Sequence, residues 1–306
     1  MRIAIIGGRG LIGMAAAREL RAAGHDAVLL SRRAEPGETV DRFEVRQWDG
    51  RSADELARIV DGMDGLVNLA GESIGKGRWS ERRKQVIVDS RLRPAWAIVE
   101  AWPRLKAPPA VFVQASAMGF YGNSVQPVDE SSPAGTGFQA ALCVKWEAST
   151  QAVAQSSTRR VVIRSGLVLD RARGILPQMM LPFRLFVGGA EGSGSQWMSW
   201  IHIADEAHAI RYLLEHEEAS GVYNLTSPQP VTNAEFGREI AKALRRPYWF
   251  KIPAFALRLV LGEMSSLLLE SQKVLPTRLT NSGFEFQYPN LRDALADLLS
   301  SRSQNG

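Results

Sequence analysis

Cysteine is almost absent from this chain of 306 residues, and histidine is scarce. The single cysteine, Cys143, excludes a disulfide framework and a cysteine-rich zinc site. No metal-ligand spacing is present among the four histidines, His25, His202, His208 and His216. We therefore expect no metal site.

Long hydrophobic runs are also missing. No run of about eighteen apolar residues occurs, so we expect no segment that spans a membrane and no membrane partner. The apolar start of the chain, Ile3–Ile6, is too short for a signal peptide and is followed by glycines in place of a cleavage site. These features predict a cytoplasmic protein.

The chain has no strong charge of either sign. Its 37 basic and 32 acidic residues give a net charge of +5, which is mild for this length. The densest basic stretch, Lys76–Arg93, also contains Glu81 and Asp89. A basic, solvated face accounts for this charge, and we expect no nucleic-acid partner.

Strand-like and helix-like segments alternate over the first half of the chain, which predicts βαβ units and a parallel sheet. The predicted strands are Arg2–Ile6, Asp26–Leu30, Phe43–Trp48, Gly65–Leu69, Ala110–Val113 and Arg160–Ile163. The predicted helices are Leu11–Ala23, Ser52–Val60, Ser80–Trp102 and one within Pro133–Gln155. The predicted class is α/β, a doubly wound parallel sheet of the Rossmann type with a smaller C-terminal substrate domain.

The alternation changes after about residue 170. A glycine-rich stretch, 188–194, predicts a loop, and Thr232–Glu235 has the pattern of a capping box for a helix that ends at Leu244. We therefore predict a cofactor-binding domain at 1–170 and a smaller domain at 171–306. A segment near 195–225 is expected to return to the first domain.

A glycine-rich turn joins the first predicted strand to the first predicted helix. Its spacing satisfies G-x-G-x-x-G through Gly8, Gly10 and Gly13, and Gly7 adds a second overlapping pattern. Such a turn lets the backbone approach a pyrophosphate, and the helix N-terminus then offers free N–H groups. This context inside a βαβ unit predicts dinucleotide binding by Gly7, Arg9, Gly10, Leu11, Ile12 and Gly13.

The end of the second strand indicates which dinucleotide is preferred. Sites for NAD usually carry an acid there, whereas this chain has Ser31, Arg32 and Arg33, and Glu35 comes later. Arginine suits a 2′-phosphate, and Arg9 lies in the adjoining glycine turn. We predict NADP, or NADPH, in preference to NAD; solvated loop arginines are the alternative interpretation.

The chain resembles the extended short-chain dehydrogenase/reductases, and more narrowly the atypical epimerase family with a C-terminal domain of unknown function. The resemblance runs nearly end to end. It rests on the segments Gly7–Gly13, Asn68-Leu69-Ala70-Gly71-Glu72, Arg78-Trp79-Ser80, Asp89-Ser90-Arg91, Ser116–Gly122, Trp146-Glu147, Gly192–His202 and Gly283–Pro289.

The resemblance implies further cofactor-binding residues. Asn68–Gly71 are expected to pass under the adenine ribose, with Asp49 near the adenine amino group. Ser116 and Arg164 end neighbouring strands at the carboxyl edge of the sheet, where ligands bind in such folds. For Asp49 and Arg164, a strand-end residue that satisfies local backbone groups is an equally good interpretation.

Short-chain reductases usually work with a Tyr-x-x-x-Lys pair on one helix, and this chain lacks it. None of its tyrosines, Tyr121, Tyr212, Tyr223, Tyr248 and Tyr288, is followed four residues later by lysine. In the expected helix, one register places Gln139 and Cys143 at the two positions, with Glu147 one turn further. The other register places Ala141 and Lys145 there.

Five residues are candidates for the missing proton donor: Ser116, Tyr121, Cys143, Lys145 and Glu147. Each also has a plain structural interpretation. Tyr121 and Cys143 are typical packed residues, Lys145 is typical of a solvated helix face, and Glu147 with Trp146 is typical of a helix-packing pair.

The chain has eight tryptophans. Trp197 and Trp200, beside the glycine-rich loop, are best placed to stack on a ligand. Trp96, Trp102 and Trp249 are expected in the core.

Two functions remain open. The first is an NADP-dependent oxidoreductase or epimerase that acts on a small or nucleotide-linked substrate, with an unusual proton donor. The alternative is an NADP(H)-binding sensor or interaction protein that has lost its chemistry. Analogy with extended relatives also suggests a homodimer formed through helices Ser80–Trp102 and Pro133–Gln155.

Overall fold

The computed structural model describes residues 1–35 and 37–300, so the last six residues of the predicted C-terminal domain lie outside the described residues. The strands are β1 Arg2–Ile6, β2 Asp26–Ser31, β3 Thr39–Val40, β4 Phe43–Gln47, β5 Gly65–Asn68, β6 Val111–Ala117, β7 Ser124–Val128, β8 Arg159–Ser165, β9 Leu167–Leu169, β10 Trp197–Met198, β11 Trp200–His202, β12 Gly221–Leu225, β13 Val231–Thr232 and β14 Gln272–Val274. The helices are α1 Leu11–Ala22, α2 Ala53–Val60, α3 Glu81–Ala101, α4 Phe138–Ala148, α5 Leu176–Arg184, α6 Ile203–Glu215, α7 Asn233–Leu244, α8 Ala254–Leu261, α9 Ser266–Leu269, α10 Thr277–Asn281 and α11 Leu291–Leu299.

Eight strands form the central sheet in the order β12-β8-β6-β5-β1-β2-β4-β3. Every neighbouring pair is parallel except β3 with β4. From β1 the chain builds toward one edge through β2 and β4, then returns to β5 and builds toward the other. The predicted α/β class with a doubly wound parallel sheet is confirmed. Ligands of such sheets bind where the strand order reverses, here between β1 and β5.

Both faces of the sheet are covered at its centre, which explains why β1 and β5 are nearly continuous apolar runs. In β1, Ile3 and Ile5 enter one core with Leu20 of α1 and Leu213 of α6. The alternate residues Ala4 and Ile6 enter the core on the other face, which is closed by α2 and α3. Because side chains alternate across a strand, one short segment holds both layers together.

A third apolar core lies among the elements after residue 170. It brings together α5, α7 and α11 around the buried side chains Phe183, Trp200, Phe236 and Leu295. Strand β12 comes after α5 and α6 in the chain, yet it pairs with β8 in the central sheet. The division of the chain at residue 170 stays a prediction.

No helix in the described part of the chain is long and apolar enough to cross a bilayer.

The expectation that three tryptophans are core residues is correct for Trp102 and wrong for two others. Trp96 on α3 is 55% exposed and Trp249 is 72% exposed. Helical or turn spacing gives no information about which face another element covers. Trp200 is fully buried, and its indole N–H donates to the Gln229 carbonyl at 3.1 Å.

Candidate functional site

The turn between β1 and α1 requires glycine because the backbone is packed closely there. Gly7 has a φ of +76°, and a Cβ at this position would lie 2.9 Å from the Leu69 carbonyl oxygen. A Cβ at Gly13 would lie 2.6 Å from the Gly7 carbonyl oxygen. Any larger residue would push the turn away from β5 or the helix away from the turn.

Helix α1 begins without a side-chain cap. Its N-cap residue is Gly10, and the first turn carries no acidic residue. The unpaired N–H groups and the positive end of the helix dipole therefore point out of the turn, as an anion site requires.

A cleft of about 500 Å³ lies at this edge of the sheet. Nine predicted cofactor residues line it: Gly7, Arg9, Gly10, Ser31, Arg32, Asp49, Leu69, Ala70 and Gly71. The structure thus brings together the ends of β1, β2 and β5 and the loop after β4. The close glycine turn and the uncapped helix that face this cleft fit a dinucleotide with its pyrophosphate at α1.

The other predicted cofactor residues are not among those that line the cleft. Leu11, Ile12 and Gly13 form the first turn of α1. Arg33 contributes its backbone carbonyl, which accepts hydrogen bonds from Arg9 at 2.8 Å and from the Ser31 hydroxyl at 3.1 Å. Asn68, Ser116 and Arg164 lie deeper, in polar contacts of their own.

Asn68 does not line the cleft but holds the loop after β5 that does. It is fully buried, and its amide donates to Gln114 Oε1 at 2.9 Å. Its Oδ1 accepts the backbone N–H of Ala70 at 3.2 Å. The side chain therefore fixes the loop that follows β5.

Asp49 stays ionised inside the cleft. Its Oδ1 accepts the backbone N–H groups of Ser52 at 2.8 Å and Arg51 at 2.7 Å. These hydrogen bonds, that of Ser52 first, lower the pKa of the Asp49 carboxyl below its ordinary value. One oxygen is thus committed to the backbone at the start of α2.

The wall of the cleft that comes from α3 was not predicted from the sequence. Val86, Asp89, Ser90, Arg93 and Pro94 face it, at spacings of three and four residues. That helical periodicity was visible in the sequence, but nothing local indicated that this face of α3 meets the glycine turn.

The arginines that line the cleft differ in whether an acidic side chain pairs with them. Arg9 pairs with Glu38 at 2.9 Å, and Arg93 pairs with Asp89. Arg32 and Arg51 line the same cleft, and within residues 1–35 and 37–300 neither makes an ion pair. The glutamate at 38 was missed because it follows the second strand by seven residues, on the loop that leads into β3.

A second group of polar side chains lies at the end of β6 and β8. Arg164 forms a two-point ion pair with Glu147, with both N···O distances at 2.8 Å. Ser116 donates to Glu147 Oε1 at 2.6 Å. Arg164 also donates to the Tyr121 hydroxyl at 2.9 Å, and that hydroxyl donates to Asn224 Oδ1 at 2.8 Å. We call these five residues the Ser116–Asn224 network.

Helix α4 turns one face toward the end of β6. Glu147 meets Ser116, the Cys143 thiol donates to the Ala117 carbonyl at 3.6 Å, and Gln139 packs against Gly119. This is the face of the first register. Ala141 and Lys145, the second register, are exposed.

Two of the predicted proton donors are held in their neutral forms. Burial first, and Glu147 second, raises the pKa of the Cys143 thiol to about 11. Burial raises the pKa of Tyr121, and the nearby Arg164 guanidinium offsets part of that rise. Tyr121 is 3% exposed and its hydroxyl is fully occupied by two partners.

Arg91 connects the two groups of residues. It donates to the backbone carbonyls of Glu72 and Ile87 at 3.1 Å, and its guanidinium lies 4.9 Å from the centroid of the Trp146 ring. Burial lowers its pKa to about 10, so it remains charged at neutral pH. It is thus a fixed cation between the cleft and α4.

Comparison with protein families matches residues 3–226 to the NAD dependent epimerase/dehydratase family. The chain belongs to this family. Residues 252–298 match a domain of unknown function, DUF1731. The predicted resemblance is confirmed.

Relatives of similar length occur in bacteria and animals. The chain is 38% identical to epimerase family protein YfhF of Bacillus subtilis, with 99% of each chain covered. It is 37% identical to human epimerase family protein SDR39U1, over 98% of this chain and all of the human one.

Solved structures agree with the fold. A crystal structure of human SDR39U1 (isoform 2) with NADPH superposes with a TM-score of 0.88 at 36% identity, covering 98% of this chain and 99% of that one. A nucleoside-diphosphate sugar epimerase from Corynebacterium glutamicum superposes with a TM-score of 0.78 at 29% identity, covering 98% of this chain and 58% of that one.

Proposed function

We propose that this protein is an NADP-dependent oxidoreductase or epimerase that acts on a small or nucleotide-linked substrate. The observation that carries the proposal is the cleft at the β1–β5 reversal, where the uncapped N-terminus of α1 meets a close glycine turn. The human relative crystallised with NADPH supports the same cofactor class.

The preference for NADP rests on Arg32. Its guanidinium has no ion pair among the described residues and lines the cleft directly after β2, where a ribose hydroxyl or its phosphate would lie. A 2′-phosphate would give this arginine a charge-assisted partner. Arg9 is a weaker candidate because Glu38 already neutralises it.

In this proposal, Ser116 and Glu147 transfer the proton that accompanies hydride transfer. A bound nicotinamide supplies hydride transfer. Ser116 Oγ donates a hydrogen bond to Glu147 Oε1, and Arg164 donates to both oxygens of that carboxylate. In the oxidative direction a substrate hydroxyl would give its proton to Ser116 Oγ as Ser116 Oγ passes its own proton to Glu147 Oε1, and in the reductive direction both transfers would reverse.

The alternative function, an NADP(H)-binding sensor without chemistry, is favoured by one observation. The Tyr121 hydroxyl is closed inside the Ser116–Asn224 network, with Arg164 and Asn224 as its partners. The Tyr121 proton is given to the Asn224 amide oxygen, which, unlike the Glu147 carboxylate, cannot take up a proton and pass it on, so this tyrosine is a structural residue.

Titration with NADPH and NADH tests the cofactor assignment. Arg32→Ala should weaken NADPH binding by about tenfold, as expected for the loss of a charge-assisted contact, and leave NADH binding unchanged. Arg33→Ala is the matched control, because Arg33 does not line the cleft. Equal effects of the two variants would contradict the assignment.

Turnover separates the two functions. With a substrate in hand, Ser116→Ala should abolish turnover and leave NADPH affinity intact, whereas a sensor would show no turnover in the wild type. A wild-type rate in Ser116→Ala would exclude the proposed proton path. The cytoplasmic location, the homodimer and the absence of a nucleic-acid partner stay predictions.

A further inference from the structure

Large apolar side chains are exposed along two segments of the chain, residues 181–187 and 245–261. Trp249, Phe255 and Leu259 are 72%, 72% and 75% exposed. The full set in these segments is Leu181, Leu185, Phe186, Val187, Trp249, Phe250, Phe255, Leu259 and Val260. A soluble surface usually carries such residues singly, so this concentration calls for a partner.

The two segments lie side by side. The Trp249 indole N–H donates to the Phe186 carbonyl at 2.8 Å, and the backbone N–H groups of Trp249 and Phe250 both reach the Gly188 carbonyl at 3.2 Å. The Arg246 guanidinium lies 4.4 Å from the centroid of the Phe186 ring. The exposed residues thus form one surface, which we call the apolar–basic patch.

Helix α8, Ala254–Leu261, follows Trp249–Lys251 closely in the chain and is also exposed. None of its eight residues is buried, and seven of them are apolar. Phe255 and Leu259 are four residues apart, so they share one face of the helix. An ordinary surface helix turns its polar side outward, whereas α8 turns apolar side chains outward.

The charge of the patch has one sign. Its exposed basic residues are Arg184, Arg245, Arg246, Lys251 and Arg258, and neither segment contains aspartate or glutamate. Among the nearby acids, Glu263 pairs with Lys84 at 2.8 Å and Glu239 with Arg292 at 3.4 Å, while Glu191, opposite Ile252, accepts a hydrogen bond from Asn233 at 3.2 Å.

This combination discriminates between partners. A second copy related by a two-fold axis would bring the same arginines face to face, which is repulsive. A nucleic acid would match the charge but leave Leu181, Leu185 and Leu259 without apolar contacts. The surface of an anionic bilayer satisfies both features, because its phosphates attract the basic residues and its acyl region accepts the apolar ones.

We propose that the apolar–basic patch binds the surface of membranes that contain anionic lipid. The protein lies on the bilayer through α8 and residues 181–187 and does not cross it. This departs from the sequence-based expectation of no membrane partner, which rested on spanning segments alone.

Flotation with lipid vesicles tests the proposal. The full-length protein should float with vesicles of equal parts phosphatidylglycerol and phosphatidylcholine, and much less with phosphatidylcholine alone. Binding should weaken as salt rises. Each of Arg245→Gln and Lys251→Gln should lower the partition coefficient by about fivefold, and Phe255→Glu with Leu259→Glu together by at least about tenfold.

Val125→Glu is the matched control, since Val125 is a 63% exposed apolar residue of β7 outside the patch. It should float like the wild type, and circular dichroism melts should show that all variants are folded. Two results would overturn the proposal. One is a folded wild type that fails to float with anionic vesicles at low salt; the other is a dimer in sedimentation that Leu259→Glu dissociates, which would assign the patch to a second copy.

Discussion

The cofactor cleft and the Ser116–Asn224 network lie at the same edge of one sheet but are built differently. The part of the cleft that faces the N-terminus of α1 is backbone, formed by the glycine turn, and side chains such as Arg32 and Asp89 form its walls. The network is made of side chains that satisfy one another in a buried space. A backbone site persists when neighbouring side chains change, whereas a side-chain network changes its chemistry with each substitution. The glycine turn can therefore be recognised from its spacing alone, whereas the chemistry of the network depends on which side chains meet there.

The largest expected effect comes from filling the glycine turn. Gly13→Val places a side chain against the Gly7 carbonyl oxygen and should reduce NADPH affinity by about a hundredfold or more, because the turn and α1 can no longer approach each other. Isothermal titration calorimetry measures this. The control is Gly75→Ala, since no atom lies within 4 Å of a Cβ there. Unchanged affinity in Gly13→Val would show that the turn does not form the site.

A substitution in the Ser116–Asn224 network should lower the stability of the protein more than it lowers the affinity for NADPH. Arg164→Met leaves the Glu147 carboxylate without its ion partner in a site where Arg164 is 4% exposed, and should cost about 3 kcal/mol of unfolding free energy. Urea denaturation measures the loss, and adding Glu147→Gln should restore much of it. NADPH affinity of the folded variant should stay near that of the wild type. A large loss of affinity without a loss of stability would reverse the roles given to the two regions.

A pH effect is expected beside the network, at Glu206. This residue is fully buried, accepts a hydrogen bond from Ser165 at 2.6 Å, and burial raises its pKa to about 8 from an ordinary 4.5. The folded state therefore holds a proton that the unfolded state releases between these values, so stability falls as pH rises from 4.5 to 8.

Thermal melts across this pH range test the effect. Glu206→Gln keeps the acceptor for Ser165 and should flatten the pH dependence by at least about 1 kcal/mol. Glu235→Gln is a control, because its carboxyl has a lowered pKa and lies at the surface. A Glu206→Gln protein with an unaltered pH profile would mean that the carboxyl is ionised in the fold.

The smallest expected effect concerns the balance of charge in the cleft. Glu38 neutralises Arg9 at 2.9 Å, and both side chains are partly exposed to solvent. Glu38→Gln should free the arginine and strengthen NADPH binding by about threefold, with little change for NADH. Fluorescence titration of both cofactors measures the ratio. Equal strengthening for NADH would show that Arg9 acts on the pyrophosphate and not on a 2′-phosphate.

The sequence predicted the cleft better than the network for a physical reason. The strand, glycine turn and helix of residues 2–22 are contiguous, so their spacing alone indicates how they fold. Ser116, Glu147 and Tyr121 were each identified as candidates, but their contacts depend on Arg164 and Asn224, which join them from distant strands. The apolar–basic patch was not predicted at all. Helical spacing in α8 indicates an apolar face but not whether any element covers it.

The most direct test of the account is a titration of the wild-type protein with NADPH and then NADH, followed by tryptophan fluorescence after any carried-over cofactor has been removed. We expect saturable binding of NADPH at least about tenfold tighter than binding of NADH. No binding of either cofactor would contradict it, because the glycine turn, the uncapped helix and Arg32 would then form a cleft without a ligand of this class.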